Sequence, residues 1–249
     1  MIVMTEKEKY ALEWNNSAQY FYDHNSYKHL VAHIRKFKTV LEIDCGTGQS
    51  TLALLEAGHN VIAIDQNTYC IEKAKQLIKA SGYTIKEKPD ELSPKSVCFI
   101  GYDITEPDFE NNILSSISPD IVICWNVGTY FDKAKAEDII PKIIEYGLTP
   151  EEIAQNIENS YGELILWHTC RIAKNKGCAV HLVDRGIQKV TRFNDPYYSF
   201  LKRKLGFKTI KYANIKGTTL SKGGRKLVTN GQLNTEAEIP IIFVSILMT

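Results

Sequence analysis

Three carboxylates and two glycines, set around short apolar runs, carry the first chemistry in this chain. Val40-Leu41-Glu42-Ile43-Asp44-Cys45-Gly46-Thr47-Gly48-Gln49-Ser50 leads an apolar run into a glycine turn, and Thr51-Leu52-Ala53-Leu54-Leu55 continues as a helix. A second apolar run, Val61-Ile62-Ala63-Ile64, ends on Asp65. The pattern predicts a strand, a tight turn that lets backbone N–H groups approach a ligand, a helix, and a strand tipped with a carboxylate. Such a carboxylate can accept hydrogen bonds from both hydroxyls of a ribose. The stretch therefore opens a nucleotide-type site on an open α/β sheet.

Two cofactor classes use this layout. The dinucleotide fingerprint wants glycine three times, G-x-G-x-x-G, the last for close helix–strand packing. Gly46 and Gly48 fit the first two places, but Thr51 holds the third. Glu42 adds an acid inside the first strand, which would repel a pyrophosphate and suits a cationic ligand. S-adenosylmethionine, with its sulfonium and ammonium groups, fits that charge balance; a nicotinamide oxidoreductase fails at Thr51 and leaves Glu42 unexplained.

The segment resembles motif I of the class I S-adenosylmethionine-dependent methyltransferases, an acidic residue followed by glycines at alternate positions. Glu42 matches the acid, and Gly46 and Gly48 match the second and third glycines; Asp44 stands where the family usually has its first. The resemblance continues through Asp65, through Asp103 after Val97-Cys98-Phe99-Ile100, and through Pro119-Asp120-Ile121-Val122-Ile123-Cys124-Trp125-Asn126, covering about residues 39 to 126. It implies S-adenosylmethionine as cofactor and a Rossmann-like, seven-stranded, mostly parallel α/β sheet with helices on both faces and a reversed last strand. It further implies a cofactor site of Glu42, Asp44, Cys45, Gly46, Gly48, Asp65 (ribose), Gln66, Asp103 (adenine amino group), Ile104 and Asn126. Asp44 is expected to clash with the methionine end, to point away from it, or to pair with its ammonium group.

The elements that must position these residues follow from composition and periodicity. The chain has 249 residues, 44% hydrophobic, with a formal charge of +1, which suits one α/β domain spanning 1–249 and argues against broad capture of nucleic acid. Cys45, Cys70, Cys98, Cys124, Cys170 and Cys178 form no C-x-x-C pair and read as small buried hydrophobes in a reducing compartment. The start turns charged within six residues, and no run approaches a membrane span, so a soluble cytoplasmic protein is expected. Residues 5–37 read as an aromatic-rich helical cap (1–38 in all). Strands are expected at 39–44, 60–65, 96–101 and 120–125, with helices near 50–58, 68–81 and 107–117; that alternation implies a parallel sheet. Thr149-Pro150-Glu151-Glu152 starts a helix, Ser160-Tyr161-Gly162-Glu163 resembles a capping box opening another, and Ala179–Val183 is the fifth strand. Asp195-Pro196 starts a helix reaching Leu205-Gly206. Strands at 207–215 and 240–247 should then pair antiparallel, and Asn230-Gly231 between them is a hairpin signal.

Ligands bind beyond the carboxyl ends of parallel strands. The aromatic cap and two insertions, 127–159 and 216–238, should converge there. Tyr22 and Tyr130 are candidate acceptor-site residues. Arg185 and Arg225, among Lys189, Arg192, Lys216, Lys222 and Lys226, make an anionic small-molecule acceptor a specific expectation. RNA, a protein acceptor or a non-catalytic S-adenosylmethionine-binding module are the alternatives. Methyl transfer leans on positioning and water exclusion more than on acid–base groups, so no catalytic residue is assigned, neither His168 nor His181. His29 and His33 share a helix face without a third ligand, so no metal site is expected.

Overall fold

Continuous apolar runs, rather than alternating ones, mark strands covered on both faces. The computed structural model describes residues 4–106, 108–109, 113–115, 117–126, 130–195, 197–220, 224, 228–229, 232–233 and 236–249. Its eight-stranded sheet contains β1 (Thr39–Ile43), β2 (Asn60–Asp65), β3 (Thr84–Lys86), β4 (Ser96–Gly101), β5 (Ile121–Trp125), β6 (Ala179–Gly186), β7 (Ile210–Leu220) and β10 (Glu238–Met248). The spatial order is β3-β4-β2-β1-β5-β6-β10-β7, and β10 alone runs against its neighbours. The reversed last strand is as expected. The eighth strand is β3, a three-residue edge segment, half-exposed and without an apolar run to announce it.

Helices α1 (Glu6–Asp23), α2 (Ser26–Ala32), α3 (Gln49–Glu56) and α4 (Thr68–Ala80) precede the middle of the chain; α5 (Ala136–Tyr146), α6 (Pro150–Gln155), α7 (Ile157–Asn175) and α8 (Tyr198–Leu205) follow it. One core packs Phe21, Tyr27, Leu30, Leu54, Leu55 and Phe243 against one sheet face. The other packs Phe109, Ile139, Tyr161, Leu164 and Leu201 against the opposite face. All six cysteines are free, and burial pushes each thiol's pKa up.

Several boundaries differ from expectation for identifiable reasons. Thr149 and Glu152 do form a capping box on α6. Ser160 and Tyr161 do not open a helix: Asn156 caps α7 four residues earlier by accepting from the Asn159 N–H at 3.1 Å, which puts Tyr161 inside it. The helix expected over 107–117 falls partly outside the described residues, at 107, 110–112 and 116; Leu114 N–H donates to Phe109 O at 3.3 Å, and both side chains enter the core. Strand β7 runs to Leu220, so Lys216 belongs to the sheet and not to a loop. Asn230-Gly231, Gly223 and Pro196 lie outside the described residues, although β8 (Val228–Thr229) and β9 (Gln232–Leu233) pair antiparallel around the first. The Asp195 carboxylate starts α8 by accepting from the N–H groups of Tyr197, Tyr198 and Ser199.

Candidate active site

The chain leaves β1 toward β2 on one side of the sheet and returns through β5 on the other, so a crevice opens between the ends of β1 and β5. Both strands end in the left-handed region: Asp44 has φ 55° and Asn126 has φ 54°. Asp and Asn are the non-glycine residues that tolerate it best. Cys45 N–H donates to Ile64 O at 3.0 Å and Asn126 N–H to Val183 O at 2.7 Å, tying each turn to the neighbouring strand. Gly46, at φ +55°, donates its N–H to Asp65 Oδ2 at 2.9 Å, while Asp65 Oδ1 accepts from Asn67 N–H at 2.7 Å. Asp65 thus ties the glycine turn to the start of α4.

Three carboxylates gather in this crevice. Burial raises Asp44, and the charges of Asp65 and Asp103 raise it further. Burial also raises Asp65, opposed by its two backbone N–H donors. Asp103 accepts from Thr105 N–H at 2.9 Å, from the Thr105 hydroxyl at 2.8 Å and from the Tyr161 hydroxyl at 3.2 Å. Gln66 Nε2 donates to Tyr161 Oη at 2.9 Å and to Tyr130 O at 3.1 Å. Asp44 Oδ2 and both amide atoms of Asn126 are buried without a hydrogen bond. Tyr27 senses the Asn126 amide but does not meet it in hydrogen-bond geometry.

Helix α1 lies over the crevice. Trp14, 5% exposed, places its indole so that a Cβ on Gly46 would sit 2.0 Å from Nε1. Tyr10 packs edge-on to Tyr130 with centroids 5.5 Å apart. Lys7 pairs with Asp132 at 3.0 Å, Asn67 Nδ2 donates to Lys7 O at 3.1 Å, and Gln49 Nε2 to Asn15 Oδ1 at 3.2 Å. Under these rings Asp44, Gly46, Asp65, Gln66 and Asn126 enclose a cavity of about 20 Å³. That admits about one water, where ligand pockets run to about 300–1,000 Å³.

Residues 40–146 match the sequence family described as methyltransferase domain. That stretch, less than half of the 249 residues, marks S-adenosylmethionine-dependent methyl transfer as the chemistry of this domain. A Pyrococcus horikoshii protein provisionally described as an RNA methyltransferase is similar in structure, with 14% identity, 98% of each chain covered and a TM-score of 0.51. The YcgJ protein of Bacillus subtilis is similar at 12% identity, over 89% of this chain and 97% of that one, with a TM-score of 0.51. EvdMO1 matches over 90% of this chain at 13% identity and a TM-score of 0.48, and this chain spans 40% of its length. No curated protein sequence matches the chain. Those identities speak for the fold.

The methyltransferase crevice fits its cofactor on chemical grounds. It offers acids to a cationic ligand, a glycine turn that a side chain would fill, and buried polar atoms still to be satisfied. Three further residues expected at the cofactor also make contacts within the frame. Glu42 faces α3, accepting from the Ser50 hydroxyl at 2.5 Å and the Thr51 hydroxyl at 2.6 Å, and burial lifts its pKa to about 7. Thr51 is therefore a donor to Glu42, not a failed third glycine. A Cβ on Gly48 would meet Ala74 Cβ at 2.8 Å, so that glycine lets α4 approach α3. Ile104 packs into the core.

Among the described residues, the expected acceptor residues Tyr22, Tyr130 and Arg185 lie apart. Tyr130 borders the crevice; Tyr22 does not, because its hydroxyl donates to Glu56 at 2.5 Å on a groove beside α2 and α3. The Arg185 guanidinium lies 5.7 Å from the Trp14 ring and 5.8 Å from the Phe21 ring, where it supports α1. Arg225, Lys222, Lys226 and Gly128 lie outside the described residues. A second cavity, about 250 Å³, opens at the end of β6 between α7 and α8, lined by Glu158, Asn159, Glu163, Asp184 and Tyr198. Asp184 is exposed inside this cavity, where the surrounding protein raises its pKa. Its neighbour Val183 holds Asn126, and Tyr161 lies on α7 between the lining residues Asn159 and Glu163. Sequence reasoning missed Tyr161 by reading it as part of a cap. The spacing of Tyr10, Trp14, Ala18 and Phe21 along one helix face was the available signal for the cover. Among the described residues, no group of three His, Cys, Asp or Glu is placed to hold a metal, and no helix is long and apolar enough to cross a membrane.

Proposed function

We propose that this methyltransferase moves the methyl group to nitrogen or oxygen of a compact small molecule seated in the cavity at the end of β6. The reading rests on one observation: that cavity adjoins, through Val183 and Asn126, the crevice where Asp44, Asp65 and Asp103 gather. Asp65 is assigned to the ribose hydroxyls and Asp103, steadied by Tyr161, to the adenine end. The turn Cys45-Gly46 and Gln66 flank the nucleoside, with Asp44 and Asn126 beside the methionine end. The bound cofactor supplies a methyl group already activated on a positive sulphur. The protein's part is then to align the acceptor and shut out water, which the α1 cover does once it closes again. A cavity of about 20 Å³ requires that cover to swing aside before a nucleoside is admitted.

Glu158, Glu163 and Asp184 favour a neutral or basic acceptor, an amine above all, over the anionic acceptor expected from Arg185 and Arg225. An RNA acceptor, the description given to the Pyrococcus protein, would need a basic path where these acids stand. Calorimetry with S-adenosylmethionine and with NAD, followed by methyl-tritium transfer to matched amines, alcohols and carboxylates, tests both halves. Binding of the first ligand alone, with transfer to amines, is expected. No binding by cofactor-free protein removes the enzyme reading, and transfer to carboxylates removes the amine.

A further inference from the structure

We propose that Asp44 is a charge-selective residue, whose carboxylate makes this enzyme hold the positively charged cofactor in preference to its uncharged-sulphur product. The inference rests on the cofactor reading of the crevice and concerns a residue that departs from the family pattern. Asp44 keeps the left-handed backbone angle, φ 55°, that a glycine would take there, and adds a carboxylate. Its Oδ2 is buried with no hydrogen bond, and Asn126, 1% exposed with both amide atoms unpaired, lines the same cavity. Asp65 and Asp103 are satisfied by backbone and side-chain donors, so Asp44 is the acid left with an idle oxygen.

An unpaired acid beside two others is unfavourable until a positive charge joins them. S-adenosylmethionine and S-adenosylhomocysteine share the ammonium and carboxylate and differ by one methyl and one charge at sulphur. A carboxylate under a cover that excludes water senses that difference strongly. An opposite charge within about 4–6 Å shifts a titration by about one to three powers of ten. Asp44 would thus favour reactant binding, and loss of the positive charge on transfer would favour product release.

The test compares Asp44→Asn and Asp44→Gly with wild type, using calorimetric affinities for S-adenosylmethionine, S-adenosylhomocysteine and sinefungin, which carries an amine in place of the sulfonium. Wild type is expected to bind the two cationic ligands at least about tenfold more tightly than S-adenosylhomocysteine. Both variants should bring the three affinities within about threefold of one another, mainly by weakening the cationic ligands. The melting temperature of ligand-free Asp44→Asn should also rise, because repulsion from Asp65 and Asp103 is relieved. Equal weakening of all three ligands, or an unchanged preference, overturns the proposal while leaving the cofactor site standing. Failure of wild type to bind any of them instead overturns the cofactor reading itself.

Discussion

Replacing Gly46 with alanine tests whether α1 sits on the glycine turn as described. The new Cβ would stand 2.0 Å from Trp14 Nε1 and 2.6 Å from Cδ1, at a residue with φ +55°. The left-handed angle costs an alanine about 1–2 kcal/mol. Forcing the buried indole aside adds about 1–3 kcal/mol. Gly46→Ala should therefore destabilise by about 2–5 kcal/mol. Trp14→Ala alone should cost about 3–5 kcal/mol, because a buried ring is lost. In the double variant the clash disappears and only the backbone strain remains. The two effects should then fall short of additivity by about 1–3 kcal/mol. Urea unfolding of the four proteins, with unchanged m values, gives the coupling. Gly48→Ala is the control: its Cβ would meet Ala74 Cα at 2.9 Å, so removing Trp14 should not rescue it. Additivity within about 0.5 kcal/mol for the Gly46 pair would refute the docking of α1 over the turn. Trp14→Ala should also speed cofactor association measured by rapid filtration, since the indole no longer fills the crevice.

Three further outcomes follow from the buried polar groups. Glu42 has its pKa raised from 4.5 to about 7, so between those values the folded protein holds a proton that the unfolded chain releases, and stability falls as pH rises through that window. Glu42→Gln should flatten this fall by roughly 3 kcal/mol, read from urea unfolding at pH about 5 and about 8; identical pH slopes would contradict it. Tyr161→Phe removes the hydroxyl shared by Asp103 and Gln66, and should cost about 1–3 kcal/mol and weaken S-adenosylmethionine binding severalfold. An unaltered affinity would show that Tyr161 does not steady that end of the site. His181 Nδ1 accepts from Trp125 Nε1–H at 2.9 Å, so Nε2 carries the proton and donates to Ser245 Oγ at 2.7 Å, which reaches His33 Nδ1 at 2.9 Å. Burial lowers the His181 pKa to about 3. Nitrogen NMR should therefore show a single Nε2–H tautomer that does not titrate between pH about 5 and about 8; a midpoint in that range would sink the assignment.

What the sequence disclosed and what it withheld divide along a physical line. Strand, turn and acid were legible at Glu42, Gly46 and Asp65 because local geometry dictates their types: a glycine at positive φ, and a carboxylate at a strand end. Contacts between distant segments were not. Tyr161 reaches Asp103 only because α7 crosses that end of the sheet, and Arg185 turns under Trp14 only because α1 folds back over β6. Basic residues in sequence suggested an anionic acceptor; of these, Arg185 packs on the Trp14 and Phe21 rings, a contact that no local pattern announces, and Arg225 lies outside the described residues. The cavity acids Glu158, Glu163 and Asp184 come from two elements and show no pattern along the chain. Strand β3 escaped notice because an edge pair of three residues needs no apolar run.

Asp44 joins both halves of that division. Its backbone does what the glycine of the family pattern would do, since Asp reaches the left-handed region at modest cost. Its side chain does the reverse, adding an acid to a covered crevice where Asp65 and Asp103 already stand. Among the described residues, none of these three carboxylates forms an ion pair with a lysine or arginine. Such a cluster works against the fold unless a ligand brings compensating charge, and a ligand that loses its charge during the reaction would then bind least tightly when it is product. The same crevice is roofed by Trp14, Tyr10 and Tyr130, whose ring faces attract cations. If the proposed selectivity holds, acid beneath and aromatic rings above would be two independent contributions to it. Removing the rings should therefore weaken S-adenosylmethionine more than S-adenosylhomocysteine, as removing Asp44 should; if Trp14→Ala and Tyr10→Ala instead weaken both ligands equally, the roof acts through packing alone.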